Sequence, residues 1–336
     1  MKNFINKVVE GENLTREEAE QVMGILLSGE ATQAQIGSFL TAERLKGETL
    51  DEIVGFVSVL SQKAVHIHPK ADVYVDLVGT GGDRTFTFNV STTSAFVVAA
   101  AGLPVAKHGN RSISSKSGAG DVLEALGVKI VAEPSKVEEN IDTIGIGFMF
   151  AQTFNPSMRF VGQTRSEIGI RTVFNIMGPL ANPSDAKVMV VGVYDPSLTE
   201  LIANVMHQRG VERGFVMSGE DHMDEFTLTG KTTVSEITPD GVKTYEVAPE
   251  DFGLSRASLE ELRGGNGEEN CEITKAILRG EEKGPKRDIV LLNAGATLYA
   301  GGKAASIKEG IDLAAATIDN GKAYAKLEEL VAASNS

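Results

Sequence analysis

Two glycine-rich polar loops, GTGGD at residues 79–83 and KHGNRSISSKSGAGD at residues 107–121, hold the side chains best suited to grip an anion. The first follows an apolar, β-branched run, 73–78, that reads as a buried strand. Beyond it Thr87, Asn89, Ser91 and Thr92 lead into an apolar run, 94–101, suited to a buried helix. A strand, a glycine loop and a helix start rich in hydroxyls and free N–H groups make a phosphate cradle. A glycine pair at a strand end can also be only a turn; the company of hydroxyl and amide groups favours the cradle. The second loop supplies Lys107 and Arg111 as cations, and Lys107, Asn110, Ser115 and the local N–H groups can coordinate phosphate oxygens. His108 reads as a ring lining the ligand rather than a general base, because no carboxylate is identifiable to orient it.

A second chemical feature lies 100 residues further on. Asp224 and Glu225 stand side by side in GEDHMDEFTLTG, before a β-like run at 226–229. Hard oxygen ligands of this kind suit Mg²⁺, which bridges to substrate phosphates, while the alternative is a solvated acidic turn. The net charge of −14 argues against a nucleic-acid partner but not against a small phosphorylated ligand carried with Mg²⁺.

Other residues attract weaker readings. GTGGD is no dinucleotide fingerprint, since Arg84 takes the place of the third glycine, and GKT at 230–232 is no P-loop, since Glu225 stands five before Gly230. The single cysteine, Cys271, has no neighbouring base and reads as a packing thiol. It also suits a reducing cytoplasm. His66 and His68 read as part of a solvated linker. Neither a signal-peptide core nor an apolar run of the roughly 20 residues needed to cross a bilayer is present, so a cytoplasmic protein is expected.

The elements that must position these residues fall into two parts. Residues 1–68 predict a small helical domain, with capping boxes at Thr15/Glu18, Thr32/Gln35 and Thr49/Glu52, each followed by apolar residues at helical spacing. From residue 69, strand-like runs (73–78, 103–106, 128–131, 144–151, 188–194, 214–217) alternate with helical patterns at 121–126, 135–144 and 197–209. Capping boxes are expected at Ser135/Glu138 and Ser197/Glu200. Such alternation predicts an α/β domain, 69–155 and 186–336, with a central, mainly parallel sheet flanked by helices. Its ligands would sit at the carboxyl ends of the strands. A helical excursion near 156–185 is expected to return to the N-terminal helices, residues 232–247 to form a hairpin, and 255–333 to be mostly helical.

GTGGD, the TFNVST run, KHGNRSISSKSG, the GIRTVFNIMGPLANP block and the acidic pair together resemble the anthranilate phosphoribosyltransferases, over nearly the whole chain. The resemblance implies transfer of the phosphoribosyl group of phosphoribosyl pyrophosphate (PRPP) to anthranilate, in tryptophan biosynthesis, by a homodimer whose helical domain closes on the α/β domain. It implies that Gly79, Gly82, Asp83, Thr87, Asn89, Val90, Ser91 and Thr92 bind PRPP, continued by Lys107, Ser115 and Ala119. Ser91, Asp224 and Glu225 would hold two Mg²⁺ ions, and Gly79, His108, Asn110 and Arg165 would receive anthranilate. Lys107 and His108 would line the reaction centre, with no general base assigned. The chain departs from the family pattern at Ala119, where a serine is usual, at Asn155, where a histidine is usual, and at Gln163–Thr164, where Pro-Val is typical. Alternative readings are a pyrimidine nucleoside phosphorylase, which shares this architecture, and a phosphoribosyltransferase with a different aromatic acceptor. A nucleic-acid-binding relative is opposed by the charge.

Overall fold

The computed structural model describes residues 1–112 and 116–336. The chain begins with α1 (Lys2–Val9), α2 (Arg16–Leu26), α3 (Gln33–Lys46) and α4 (Leu50–Gln62). Thr15, Thr32 and Thr49 each accept from the N–H three residues on, and Glu18, Gln35 and Glu52 bond back, so the three expected capping boxes form. Each hydroxyl satisfies an orphan donor at a contribution of about 1 kcal/mol. α1 packs on α3 and α2 on α4, burying Val22, Met23, Phe39, Phe56 and Val57.

The remainder alternates strands and helices: β1 (Val75–Gly79), α5 (Val90–Ala100), β2 (Val105–Gly109), α6 (Ala119–Ala125), α7 (Pro134–Ile144) and β3 (Ile146–Phe150). Three helices follow, α8 (Ala151–Phe154), α9 (Arg159–Ile168) and α10 (Phe174–Leu180), then β4 (Val188–Gly192), α11 (Thr199–Gln208) and β5 (Arg213–Gly219). The expected hairpin is β6 (Thr232–Thr238) with β7 (Gly241–Val247), and α12 (Gly267–Leu278), α13 (Pro285–Ala300), α14 (Ile307–Asp319) and α15 (Lys322–Ser334) close the chain. The seven strands form one sheet in the order β3-β2-β1-β4-β5-β6-β7, parallel from β3 through β5 and antiparallel at the hairpin.

Strand alternation divides the core between the two faces of this sheet. Val188 and Val190 of β4, with Phe215 and Met217 of β5, join one apolar cluster under α5 and α13. Met189 and Val191, with Val216, join a second that runs through α11 into α2, α3 and α4. Val161 of α9 and Phe174 and Met177 of α10 belong to that second cluster, and α9 packs on α3 and α10 on α4.

Several local expectations are corrected. Residues 128–131 are no strand: the N–H of Val128 bonds Leu123 O and that of Lys129 bonds Ser334 Oγ, so the backbone is tied to helix ends, not to a ladder. Residues 226–229 are no strand either. Phe226 and Leu228 are buried, but the N–H groups of Phe226, Thr227 and Thr229 go to side chains of Asn293, Thr232 and Thr227. α7 starts at Pro134, whose fixed φ presets the first turn, without the Ser135 box; Glu138 accepts instead from the N–H of His68 at 2.8 Å. At residue 197 Asp195 caps a short 3-10 turn (Pro196–Leu198), which replaces the Ser197 box. α5 begins at Val90, four residues before its apolar run.

Candidate active site

β1 connects outward to β2 and β3, whereas β4 leads the other way to β5, so strand order reverses between the adjacent strands β1 and β4. The carboxyl ends at such a switch point leave an open crevice. A cleft of about 800 Å³ lies there, lined by residues 78–84 and 86–92, by Lys107 to Ser112, by Ser117 to Ala119, by α8 to α10 residues and by Asp224 and Glu225. Of the residues singled out in the sequence, Gly79, Gly82, Asp83, Thr87, Asn89, Val90, Ser91, Thr92, Lys107, His108, Asn110, Ala119, Arg165, Asp224 and Glu225 all line it. Ser115 lies outside the described residues.

The glycine loop is shaped by the acidic pair. A Cβ on Gly79 would stand 2.2 Å from Asp224 Oδ2, and one on Gly192 1.6 Å from the Asp224 carbonyl oxygen. Only glycines at both strand ends let this segment enter. The N–H of Gly81 then donates to Asp224 Oδ2 at 2.7 Å and that of Ser91, in the first turn of α5, to Glu225 Oε1 at 3.1 Å. Asp83 accepts from the Thr85 hydroxyl and N–H, and Arg171, stacked 4.0 Å from the Tyr194 ring, donates to the carbonyl of Gly82. Arg84 and Phe86 sit at positive φ, 64° and 57°, a strained turn of the kind that collects at functional sites.

Alternation along β2 sends its two adjacent polar residues to opposite faces. Lys107 turns toward α5: its Nζ donates to Leu77 O at 2.5 Å and to Ser91 Oγ at 3.4 Å. Burial lowers its affinity for the proton, and the charge of Asp76 works against that. His108 turns the other way, its Nε2 3.1 Å from Asn155 Nδ2, while its N–H donates to Asp76 Oδ1 at 3.2 Å. Burial brings His108 down to about 4, so the ring is neutral and its Nε2 accepts from Asn155. Asp76 also accepts from Asn182 Nδ2 at 2.7 Å, and burial raises it to about 6.

The acidic pair is short of positive charge. Burial, with Asp83 close by, pushes Asp224 up to about 7, and burial beside Asp224 holds Glu225 well above the usual carboxylate range. Against these carboxylates stands the buried ammonium of Lys107. A set of hard oxygens with excess negative charge fits Mg²⁺, which takes one or two carboxylates and completes its shell with water and phosphate. No group of three or more His, Cys, Asp and Glu at metal-holding distance occurs among the described residues.

The opposite wall carries Arg165. Its guanidinium lies 5.1 Å from the Phe174 ring centroid, burial lowers it to about 10, and among the described residues no carboxylate pairs with it. Glu167 is occupied by Gln163 at 2.8 Å. Of the departures from the family pattern, Asn155 and Ala119 line the cleft, whereas Gln163 is exposed and Thr164 bonds Gln33 of α3. Cys271 is buried and donates to Ala125 O, a packing thiol as expected.

Sequence reasoning missed Asp76, Asn182, Arg171 and Asn270. A charged residue inside the apolar run 73–78 was a readable signal for Asp76. Asn182 and Asn270 act on partners 106 and 181 residues away, which no local pattern marks.

An α/β sheet with its cleft at the switch point, joined to a helical bundle, is the architecture of the glycosyl transferase family. The chain matches that family's helical bundle domain over residues 2–64 and its a/b domain over residues 71–324. It is 54% identical to the anthranilate phosphoribosyltransferase of Acetivibrio thermocellus, across 100% of this chain and 97% of that one. Crystallised anthranilate phosphoribosyltransferase from Thermus thermophilus superposes with a TM-score of 0.94 at 43% identity, covering 99% of both chains. The Saccharomyces cerevisiae enzyme in complex with PRPP and Mg superposes at 0.91 with 28% identity, covering 99% of this chain and 97% of that one. The chain belongs to the anthranilate phosphoribosyltransferase family of enzymes.

Proposed function

We propose that this enzyme transfers the phosphoribosyl group of PRPP to anthranilate with the help of Mg²⁺, giving N-(5-phosphoribosyl)anthranilate and pyrophosphate, in tryptophan biosynthesis. The observation that carries the reading is the meeting of Asp224 and Glu225 with the N–H groups of Gly81 and Ser91, beside Lys107, at the switch point. A diphosphate carried with metal suits that arrangement better than a lone phosphate does.

In this reading Gly79, Gly82, Asp83, Thr87 and residues 89–92 cradle PRPP, with Lys107, Ser115 and Ala119 along the second loop. Ser91, Asp224 and Glu225 would hold two Mg²⁺ ions, which would supply positive charge to neutralise the pyrophosphate. The C1–O bond breaks with its electron pair on pyrophosphate, the amine nitrogen bonds C1, and the amine proton leaves to solvent or pyrophosphate. Lys107 and the loop N–H groups meet the developing charge, each preorganised donor being worth about 3 kcal/mol. No general base is required of His108, which is neutral and occupied by Asn155. Arg165, which pairs with no carboxylate among the described residues, takes the planar carboxylate of anthranilate, while Gly79, His108 and Asn110 flank the ring and amine.

We further propose that residues 1–68 with 156–185 act as one helical unit closing on 69–155 and 186–336. The packing of α9 on α3 and α10 on α4 supports it. A cytoplasmic homodimer is proposed as well, supported by Val9 and Leu45, 66% and 83% exposed on the paired helices α1 and α3. No helix is long and apolar enough to cross a membrane among the described residues.

Anthranilate fluorescence should fall when PRPP and MgCl₂ are added together and stay constant with EDTA. Fluorescence that persists while thymidine or uridine is phosphorolysed would establish the phosphorylase instead. Replacing Asp224 and Glu225 by Ala should remove most of the rate and the response to Mg²⁺; a double variant that answers Mg²⁺ normally places the metal elsewhere.

A further inference from the structure

Asn89 is the N-cap of α5, yet its side chain makes no capping bond. Its Nδ2 donates instead to Ser117 O at 3.2 Å, and its Oδ1 accepts from Ser117 Oγ at 3.2 Å, which ties the helix start to the far end of the second loop. The same Oδ1 accepts from Asn270 Nδ2 at 2.9 Å. Asn270 lies on α12, is 1% exposed, and accepts the N–H of Gly265 on its own Oδ1 at 2.8 Å. That backbone N–H can only donate, so it sets the orientation of the Asn270 amide, and Asn270 in turn sets that of Asn89. The segment before α12 is itself fastened to the first loop: the Gly264 N–H donates to Phe86 O at 2.9 Å, and Arg263 bridges Thr87.

We propose that Asn270 is a positioning residue for PRPP. By presenting a donor to Asn89 Oδ1 it holds the Asn89 amide in the one orientation that latches Ser117. The first turn of α5 is thereby left without a cap from Asn89, its Ser91 N–H going to Glu225 Oε1 instead, and an anion takes the place the Asn89 side chain gives up. Asn270 reaches PRPP only through Asn89, and the proposal rests on the PRPP reading above. Asn270→Asp keeps the shape and reverses the polarity. An oxygen would then face Asn89 Oδ1, and a flipped Asn89 would turn its own oxygen onto Ser117 O.

The test compares wild type and Asn270→Asp by steady-state kinetics and by the rise in Tm on adding PRPP with MgCl₂. The expected result is a PRPP KM raised tenfold or more, an anthranilate KM within twofold, and a smaller PRPP-induced rise in Tm. Asn270→Ala and Asn89→Ala should also be non-additive in PRPP KM, because both break one latch. An unchanged PRPP KM, or equal increases in both KM values with the Tm rise retained, overturns the proposal. Should Asn270→Asp not fold, Asn270→Ser keeps a smaller donor; an intermediate PRPP KM supports the latch and an unchanged one overturns it. Wild type that shows no PRPP-induced rise in Tm would sink the PRPP reading itself, whatever Asn270 does.

Discussion

Lys107 is buried and Arg165 half-buried, and the surroundings of these two cations differ in a way that separates their uses. Lys107 is already engaged by Leu77 O and Ser91 Oγ and lies within the field of Asp76, Glu225 and Asp224. Arg165 has an aromatic ring on one side and, among the described residues, no paired carboxylate. An anion arriving at Arg165 replaces nothing, so the full charge-assisted bond is available to it. Arg165→Ala should therefore raise the KM for anthranilate 10- to 100-fold, about 1.5–3 kcal/mol, with little change for PRPP. Varying each substrate in turn checks this, and equal changes in both would remove Arg165 from the acceptor site. The sequence offered Arg165 as a planar partner for a carboxylate; that Glu167, two residues on, is taken by Gln163 was not legible in it.

Among the elements, closeness of approach decides more than propensity does. β1 and β4 end in glycine because the segment carrying Asp224 runs against both. Gly192→Ala would put a methyl into the Asp224 backbone, and should cost more than about 2 kcal/mol in urea unfolding as well as most activity. A variant of unchanged midpoint would show that the segment can step aside. α3 and α4 are joined by a different device. Lys46 pairs with Glu43 at 3.3 Å and Glu52 at 2.8 Å, and Glu52 also accepts from the N–H groups of Leu14 and Thr49. Glu43 faces the Lys46 ammonium, yet burial, with Glu52 beside it, pushes its carboxyl up to about 8. A carboxyl raised in the folded state stabilises fully below its unfolded value near 4.5, and that contribution is lost as pH climbs to about 8. Glu43→Gln should therefore flatten the fall in stability between pH 5 and 8.5, by about 2 kcal/mol. Urea midpoints at the two pH values measure it; parallel curves for both proteins would mean that Glu43 does not titrate there. Sequence alone placed the Glu52 capping box but had no means of finding Glu43 beneath it, since an α-helix pattern does not say which polar residue a neighbouring helix will cover.

For the molecule as a whole, one sheet serves two bodies of helices. The face under α5 and α13 carries the wall of the cleft proposed to hold phosphate, and the other face runs through α11 into the N-terminal helices and to α9 and α10, which carry Arg165 and Phe174. Closing the helical unit would bring the two walls together and align amine with C1. The radius of gyration from small-angle scattering should then shrink when PRPP, MgCl₂ and anthranilate are present together; an unchanged profile would argue for a rigid cleft. What the sequence determined by itself is what acts locally. Thr15, Thr32 and Thr49 start their helices through bonds three residues long. The 232–247 hairpin follows from its turn, and the glycine loops follow strands whose apolar runs could be read directly. Tertiary structure alone decided the partners. Asp224 meets Gly81 from 143 residues away and Asn270 meets Asn89 from 181, because sheet order and the missing Cβ atoms of Gly79 and Gly192 set those approaches. The runs at 128–131 and 226–229 had strand-like composition yet found no open edge, and their backbones bond helix ends and side chains instead. Spacing along a chain records which groups can reach a near neighbour; it does not record which distant backbone will be close enough to need them.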